Sequence, residues 1–454
     1  MRRLRSERRR RGVIVPLIGL VACALSACEG GHPVSAPSPS PPAGVAATTT
    51  VPGGGASASA TGSAAPVDVY EHDRPGMLSP VVAGFPERVY VPNSESNTVS
   101  VIDPHTYQVV RTFPVGRRPQ HVVPSWDLKT LWVNNNDGNS LTPIDPMTGK
   151  EGKPVSVDDP YNLYFSPDGR SALVMAEREN RLDFLNPHTM RRRYSLPMPC
   201  RGINHADFTA DETLMLASCE FSGQLVVIDI AARRVRAVID LANGVTRRKG
   251  LRRAMPKDRS MPSGMTHDSM EHDLMRHGRL EHDSMGHDSM DHDSLHGRMP
   301  YPNMPQDVKL SPDGTTFYVA DMAKDGVWVV DAGKFRVTGF IPTGAGAHGL
   351  YVSRDSKVLY VSNRGAGSVS VISFALGRPI ATWPIPGGGS PDMGGVSADG
   401  RSLWLSGRYN GVVYVFDTGT GHLIRTINVG VGPHGLAIYP QPGRYSLGHT
   451  GVFR

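Results

Sequence analysis

The chain has 454 residues, a formal net charge of +6, 50 glycines, 38 prolines and four cysteines. So few cysteines in so long a chain exclude a disulfide-framework or thiolate-cluster protein. The positive charge is no nucleic-acid footprint, because seven arginines and one glutamate fall before Gly12; their loss on processing leaves the rest near neutral.

After the arginines comes an apolar run, Val13 to Leu25, too short to span a bilayer comfortably. It reads as an export signal over residues 1–27. Its ending, Leu25-Ser26-Ala27-Cys28, resembles the lipobox of bacterial lipoproteins. That resemblance implies cleavage before Cys28, lipidation of its sulfur and a lipid anchor holding the protein on the extracytoplasmic side of the cell membrane, at the surface or in the periplasm. An ordinary secretory signal with an incidental cysteine is the alternative. Residues 28–78 read as a disordered tether, with Pro, Ser, Ala, Gly and Thr most concentrated over Glu29–Val69, too poor in apolar side chains to fold.

From residue 79 to 454 a phrase of about 42 residues returns, the period of a propeller blade. One half reads like Pro305 to Gly314, the other like Leu359 to Asn363 followed by Ser368 to Ile372. The first copy runs from Val89 and lacks the opening half, which the last stretch, from Pro433, supplies. Full copies start near Arg118, Asp159, Arg201, Met304, Gly346 and Ser390. The expectation is an all-β, seven-bladed β-propeller closed by pairing of its N- and C-terminal segments, with Ser-x-Asp-Gly turns between β-branched runs.

Val89-Tyr90-Val91-Pro92-Asn93, Tyr360-Val361-Ser362-Asn363, Val226 to Asp229 and Val369 to Ile372 resemble the YVTN family of bacterial β-propeller repeat proteins. The resemblance implies the fold. It leaves activity open, since similar propellers include secreted binding proteins, lactonase-type hydrolases and the propeller domains of nitrous-oxide reductase and haem d1 cytochromes.

Cys200 and Cys219 flank the first hairpin of the fourth copy and fall opposite one another if Phe208 pairs near Leu214. A disulfide is expected in an exported compartment, two buried thiols being the alternative.

Between the fourth and fifth blades, residues 242–302 interrupt the repeat and read as a disordered insertion. After a basic stretch it becomes a pentad, with His267, His272, His277, His282, His287 and His292 at every fifth residue, then His296. Met265, Met270, Met275, Met285 and Met290 share the period, as do Asp268 and Asp273. A period of five fits neither helix nor strand. Thioether suits Cu(I) and imidazole suits Cu(II), Ni(II) and Zn(II), so a flexible tract could gather several ligands on one ion. Repeat expansion tolerated in an exposed loop stays open beside it.

Aligned copies expose a second pattern at the start of each channel-lining strand. The pairs are Gln120-His121, Tyr161-Asn162, Asn204-His205, Gln306-Asp307, His348-Gly349, Asp392-Met393 and His434-Gly435. His121, His205, Asp307, His348, Asp392 and His434 are expected to converge at one mouth of the channel. The ring reads either as a site for a metal, cofactor or anion, or as polar lining that satisfies loop backbone.

The function expected is a surface-tethered, non-enzymatic binding propeller that takes a transition metal, copper favoured, through the insertion and the axial ring. An envelope scaffold or adhesion protein binding protein or glycan on a propeller face is one alternative; a lactonase-like hydrolase or oxidoreductase is the other. No Ser-His-Asp spacing, phosphate loop or Cys-x-x-Cys-His motif points to an enzyme or a fixed cofactor, and no nucleic acid partner is expected.

Overall fold

The structure is a computed structural model that describes residues 68–248, 301–449 and 451–454. Seven sheets stand around one axis. Blade 1 is built on Arg88–Asn93, Thr98–Asp103 and Gln108–Pro114. Its innermost strand, Ala437–Tyr439, comes from the other end of the chain, and Arg88, Val89 and Tyr90 pair with Tyr439, Ile438 and Ala437. Blades 2 to 7 open with the channel-lining strands Pro119–Pro124, Pro160–Phe165, Ile203–Phe208, Pro305–Leu310, Ala347–Val352 and Pro391–Val396.

Alternation explains the strands: one face of each β-branched run packs against the blade before it and the other against the blade after. The buried apolar side chains form seven clusters, one for each interface of a closed ring. Leu225, Val227 and Ile239 of blade 4 meet Val308, Phe317 and Val319 of blade 5, for example. A seventh cluster joins Val413 and Val415 of blade 7 to Val89 and Val91 of blade 1, so the disc has no open edge. Tight turns seal the first hairpins: Ser166 Oγ and Ser311 Oγ bond Asp168 and Asp313, and Gly169 and Gly314 take φ of +66° and +71°, where a Cβ is costly.

Three boundaries differ from the sequence reading. Residues 68–78 are packed rather than part of a disordered tether, because Tyr70 buries its ring and donates its hydroxyl hydrogen to Leu310 O at 2.9 Å. At the start of the insertion, Val245–Arg247 is an added outer strand of blade 4, pairing Val238–Asp240, and Thr246 Oγ1 donates to Phe335 O at 2.7 Å. At its far end Tyr301 lies against Phe221. The third difference is at the other terminus. Beyond Tyr439 the chain leaves blade 1 and forms a hairpin, Ser446–Gly448 with Val452–Phe453, that pairs Gly448 with Tyr164 on the channel side of blade 3. Cys200 and Cys219 are joined by a disulfide across the first hairpin of blade 4. Cys28 and the pentad residues from Met265 to His296 lie outside the described residues.

Candidate metal centre

The channel-lining strands of blades 2 to 7 start at one mouth and turn their second or third residues inward, and His434 does the same just ahead of the inner strand of blade 1. His121, His205, Asp307, His348, Asp392 and His434 thereby meet at the axis, each 0% exposed. The ring of His121 lies 5.5 Å from that of His205 and 4.8 Å from that of His434, and His348 is 5.9 Å from His434. A fifth imidazole joins them. His449, at the tip of the hairpin, sits 4.8 Å from His121 and 4.7 Å from His205. The expected open mouth is therefore an enclosed chamber.

Two groups within it have ligand atoms lying within 4.8 Å of one another: His348, Asp392 and His434, and His121, His205 and His449. In the first, the tautomer of His434 is set by its neighbours. Its Nδ1 lies 3.1 Å from Gln120 O, which can only accept, so Nδ1 carries the hydrogen. Burial holds the His434 imidazole well below its ordinary pKa, with Arg408, His121, His348 and Arg364 adding to the effect, so the ring is neutral. Its Nε2 lone pair has no hydrogen-bond donor and faces Asp392 Oδ2, 3.5 Å away. The imidazole nitrogen and the carboxylate oxygen thus face each other inside the chamber. Asp392 Oδ1 is held by Arg364 at 2.6 Å, and His348 Nδ1 lies 3.1 Å from both Asp392 Oδ1 and Met393 Sδ.

In the second group Asn162 does the orienting. Its Oδ1 accepts from Leu163 N, which fixes the amide, so Nδ2 is a donor placed 3.2 Å from the Nδ1 atoms of both His205 and His449. Asn162 Nδ2 also lies 3.2 Å from Asn204 O, so one amide group orients both imidazoles against the neighbouring strand. Behind His449, Nε2 faces Asp307 Oδ1 at 3.7 Å, the side from which a carboxylate orients a ligating histidine. Burial, then His205, His121, Lys309 and His348, keep His449 well below its ordinary pKa. Burial pushes Asp307 up to about 6, against the pull of Lys309.

A layer above this chamber, seven more side chains repeat with the blades. Ser94, Asn136, Glu177, Glu220, Met322, Arg364 and Arg408 each follow the second strand of a blade, and none is more than 4% exposed. Acids lie on blades 3 and 4, arginines on blades 6 and 7. Asn204 Nδ2 donates to Glu220 Oε2 at 2.9 Å and Ser94 Oγ donates to Pro119 O at 2.7 Å, so this layer is knitted to the strands below, and Arg408 Nη1 donates to Ser94 Oγ at 3.1 Å within it. The sequence signal for it was available, one residue past each Tyr-Val-x-Asn phrase. No such signal existed for His449, which stands outside the repeat.

The family model of the YNCE-like beta-propellers matches residues 77–189 and 280–442. The chain belongs to that family. No curated protein sequence matches it significantly. Among solved structures, it is similar to a chain of Kuenenia stuttgartiensis hydrazine synthase, at 17% identity and a TM-score of 0.52 over 72% of this chain and 92% of that one. It is also similar to a functionally unknown protein from Desulfotomaculum acetoxidans, at 14% identity and a TM-score of 0.54 over 77% and 98%. At such identities these likenesses establish the fold alone.

At the opposite mouth, Asp73 is buried beside Arg354, Nη1 lying 3.8 Å from Oδ2. Burial pushes its carboxyl up to about 7, with Arg354 and Arg454 opposing. The folded protein thus holds a proton that the unfolded chain releases near pH 4. This group's stabilisation is complete below about pH 4 and is lost as the pH rises through about 7. Urea midpoints between pH 4 and 8 should fall with pH, and Asp73→Asn should flatten the slope by about 1.4 kcal/mol per pH unit. An unchanged slope in the variant would show that Asp73 is ionised throughout.

Proposed function

We propose that this chain is an exported, membrane-tethered, non-enzymatic propeller that holds a transition-metal ion, copper favoured, on its axis and gathers it with the His/Met-rich insertion. The observation that supports the axial site most is the His434 Nε2 lone pair facing Asp392 Oδ2 at 3.5 Å inside a fully buried chamber. Buried charges and lone pairs facing one another are costly unless a cation or proton lies between them. Two histidines and a carboxylate are a ligand set for zinc or copper, and Met393 beside His348 supplies the soft donor that favours copper. The ion needs ligand nitrogens at about 2.0–2.1 Å, which modest ring rotations within each group can provide. On this reading Arg364 and Gln120 O orient Asp392 and His434 as outer-shell partners. Leu25 to Cys28 support the tether, and the pentad supports metal capture.

Copper titration followed by elemental analysis tests both parts. The full chain should bind several ions, and a chain lacking residues 265–299 should keep one or two, matching the two axial groups. In that shortened background His348→Ala with His434→Ala should remove at least one more, while circular dichroism stays that of the parent. No retained ion after the deletion would remove the axial site; undiminished uptake would remove the insertion's role.

A further inference from the structure

The last imidazole of the chamber is carried by a different kind of element from the others. His121, His205, His348 and His434 sit at the openings of blade strands, and none can leave without opening a sheet. His449 sits at the tip of a hairpin whose strands are only Ser446–Gly448 and Val452–Phe453. The hairpin enters from the mouth opposite the Glu/Arg layer as a short two-stranded element, with Leu447 and Val452 packed in the core between blades 3 and 4 and Phe453 in that between blades 1 and 2. Gly448 pairs with Tyr164, His449 N donates to Leu163 O at 3.1 Å, Tyr445 stacks on Trp126 at 5.4 Å, and Arg454 meets Asp207 at 2.8 Å. Phe453 and Leu447 fill the channel below the histidines.

A fully buried ion needs a way in and out. At the far mouth Glu220, Arg364 and Arg408 are tied to Asn204, Asp392 and Ser94, whereas the hairpin is a short element that follows the last blade strand through residues 440–445. Its tip carries an imidazole grouped with those of His121 and His205, its Nδ1 lying, like that of His205, 3.2 Å from Asn162 Nδ2.

We propose that residues 446–449 together with 451–453 form a metal-latched plug. An ion shared by His121 and His205 of the wall and His449 of the hairpin holds the plug in the channel, and withdrawal of the plug opens the axis for exchange. The proposal rests on the axial metal reading and extends it to regulation. Because the coupling is a free energy, it is reciprocal: metal strengthens docking by the factor by which docking strengthens metal binding. In the plug-out state the wall offers two of the three ligands, so affinity there is lower and release is favoured.

Hydrogen exchange of the full chain reads this directly, with Zn(II) or Cu(II) as the probe and the amides of Leu447, Gly448, Val452 and Phe453 as reporters. With metal about 100-fold above its Kd, the plug's opening equilibrium should fall roughly 100-fold and exchange should slow in proportion. His449→Gln keeps the size of the tip and removes the imidazole ligand; its plug should exchange at the metal-free rate whether or not metal is added. Metal bound with no change in exchange, or the same slowing in His449→Gln, would overturn the latch and leave the axial site standing. If the chain lacking residues 265–299 binds no metal, the axial reading falls and the latch with it.

Discussion

Replacing Asp207 with alanine is expected to destabilise the docked hairpin by about 3–5 kcal/mol, the cost of stripping one partner from a buried ion pair. Asp207 is fully buried on the channel strand of blade 4. Its Oδ1 accepts from Arg454 Nη2 at 2.8 Å and from Phe208 N at 2.7 Å, and its Oδ2 accepts from Leu310 N at 2.9 Å. With the carboxylate gone, the Arg454 guanidinium, itself only 5% exposed, would keep only the longer-range pull of Asp73 and Glu212. The cheapest escape is for the hairpin to withdraw. Loss should therefore appear first as fast exchange at residues 446–453, and then as a lower urea midpoint for the whole disc. Asp207→Ala with Arg454→Met should recover most of the loss, since it removes both charges and keeps apolar volume. A single-variant cost under about 1 kcal/mol would mean that water reaches Arg454 and that the channel is wetter than its burial implies.

Replacing Gly435 with alanine should lower affinity at the His121–His205–His449 group by more than 100-fold. A Cβ on Gly435 would lie 2.0 Å from His121 Nδ1, so the ring must turn away. Gly435 is fixed from both sides, donating to Gln120 O at 2.9 Å and accepting from Val122 N at 3.0 Å, so its backbone cannot yield. Displacing a ligand costs more than the 10–100-fold typical of losing its outer-shell partner, and overpacking costs about 1–3 kcal/mol of stability besides. Isothermal titration with Cu(II) or Zn(II) in the chain lacking residues 265–299 gives the first number; urea unfolding gives the second. Gly435→Ala with His121→Ala relieves the crowding without restoring the ligand, so it should regain stability and remain weak in metal binding. Full affinity in Gly435→Ala would exclude His121 from the ligand set.

The disc itself was legible because each blade repeats one local instruction. Alternating β-branched runs and Ser-x-Asp-Gly turns recur in register, and a repeat that cannot bury its own face must stack. The convergence of His121, His205, His348 and His434 followed from that register, since equivalent positions in a closed ring share one axis. What the repeat does not encode could not be read from it. His449 and Arg454 lie beyond the last blade strand, and their partners Asn162 and Asp207 are more than 200 residues away in sequence. Tyr70 and Asp73 looked like the end of a polar tether, because a single buried tyrosine leaves no period. The enclosure of the histidines was missed for the same reason, as the side chains that seal the chamber sit outside the phrase or one step past it.

Ring closure joins Arg88 to Tyr439, the two ends of the disc. A nascent chain can stack blades 2 to 6, complete at Pro384, as an open arc before the strand that finishes blade 1 exists. Through that interval the axis is a cleft with three imidazoles in place and two still to come. The final pair, His434 and His449, arrives with the seal, so the enclosed chamber exists only once the two ends of the disc have met.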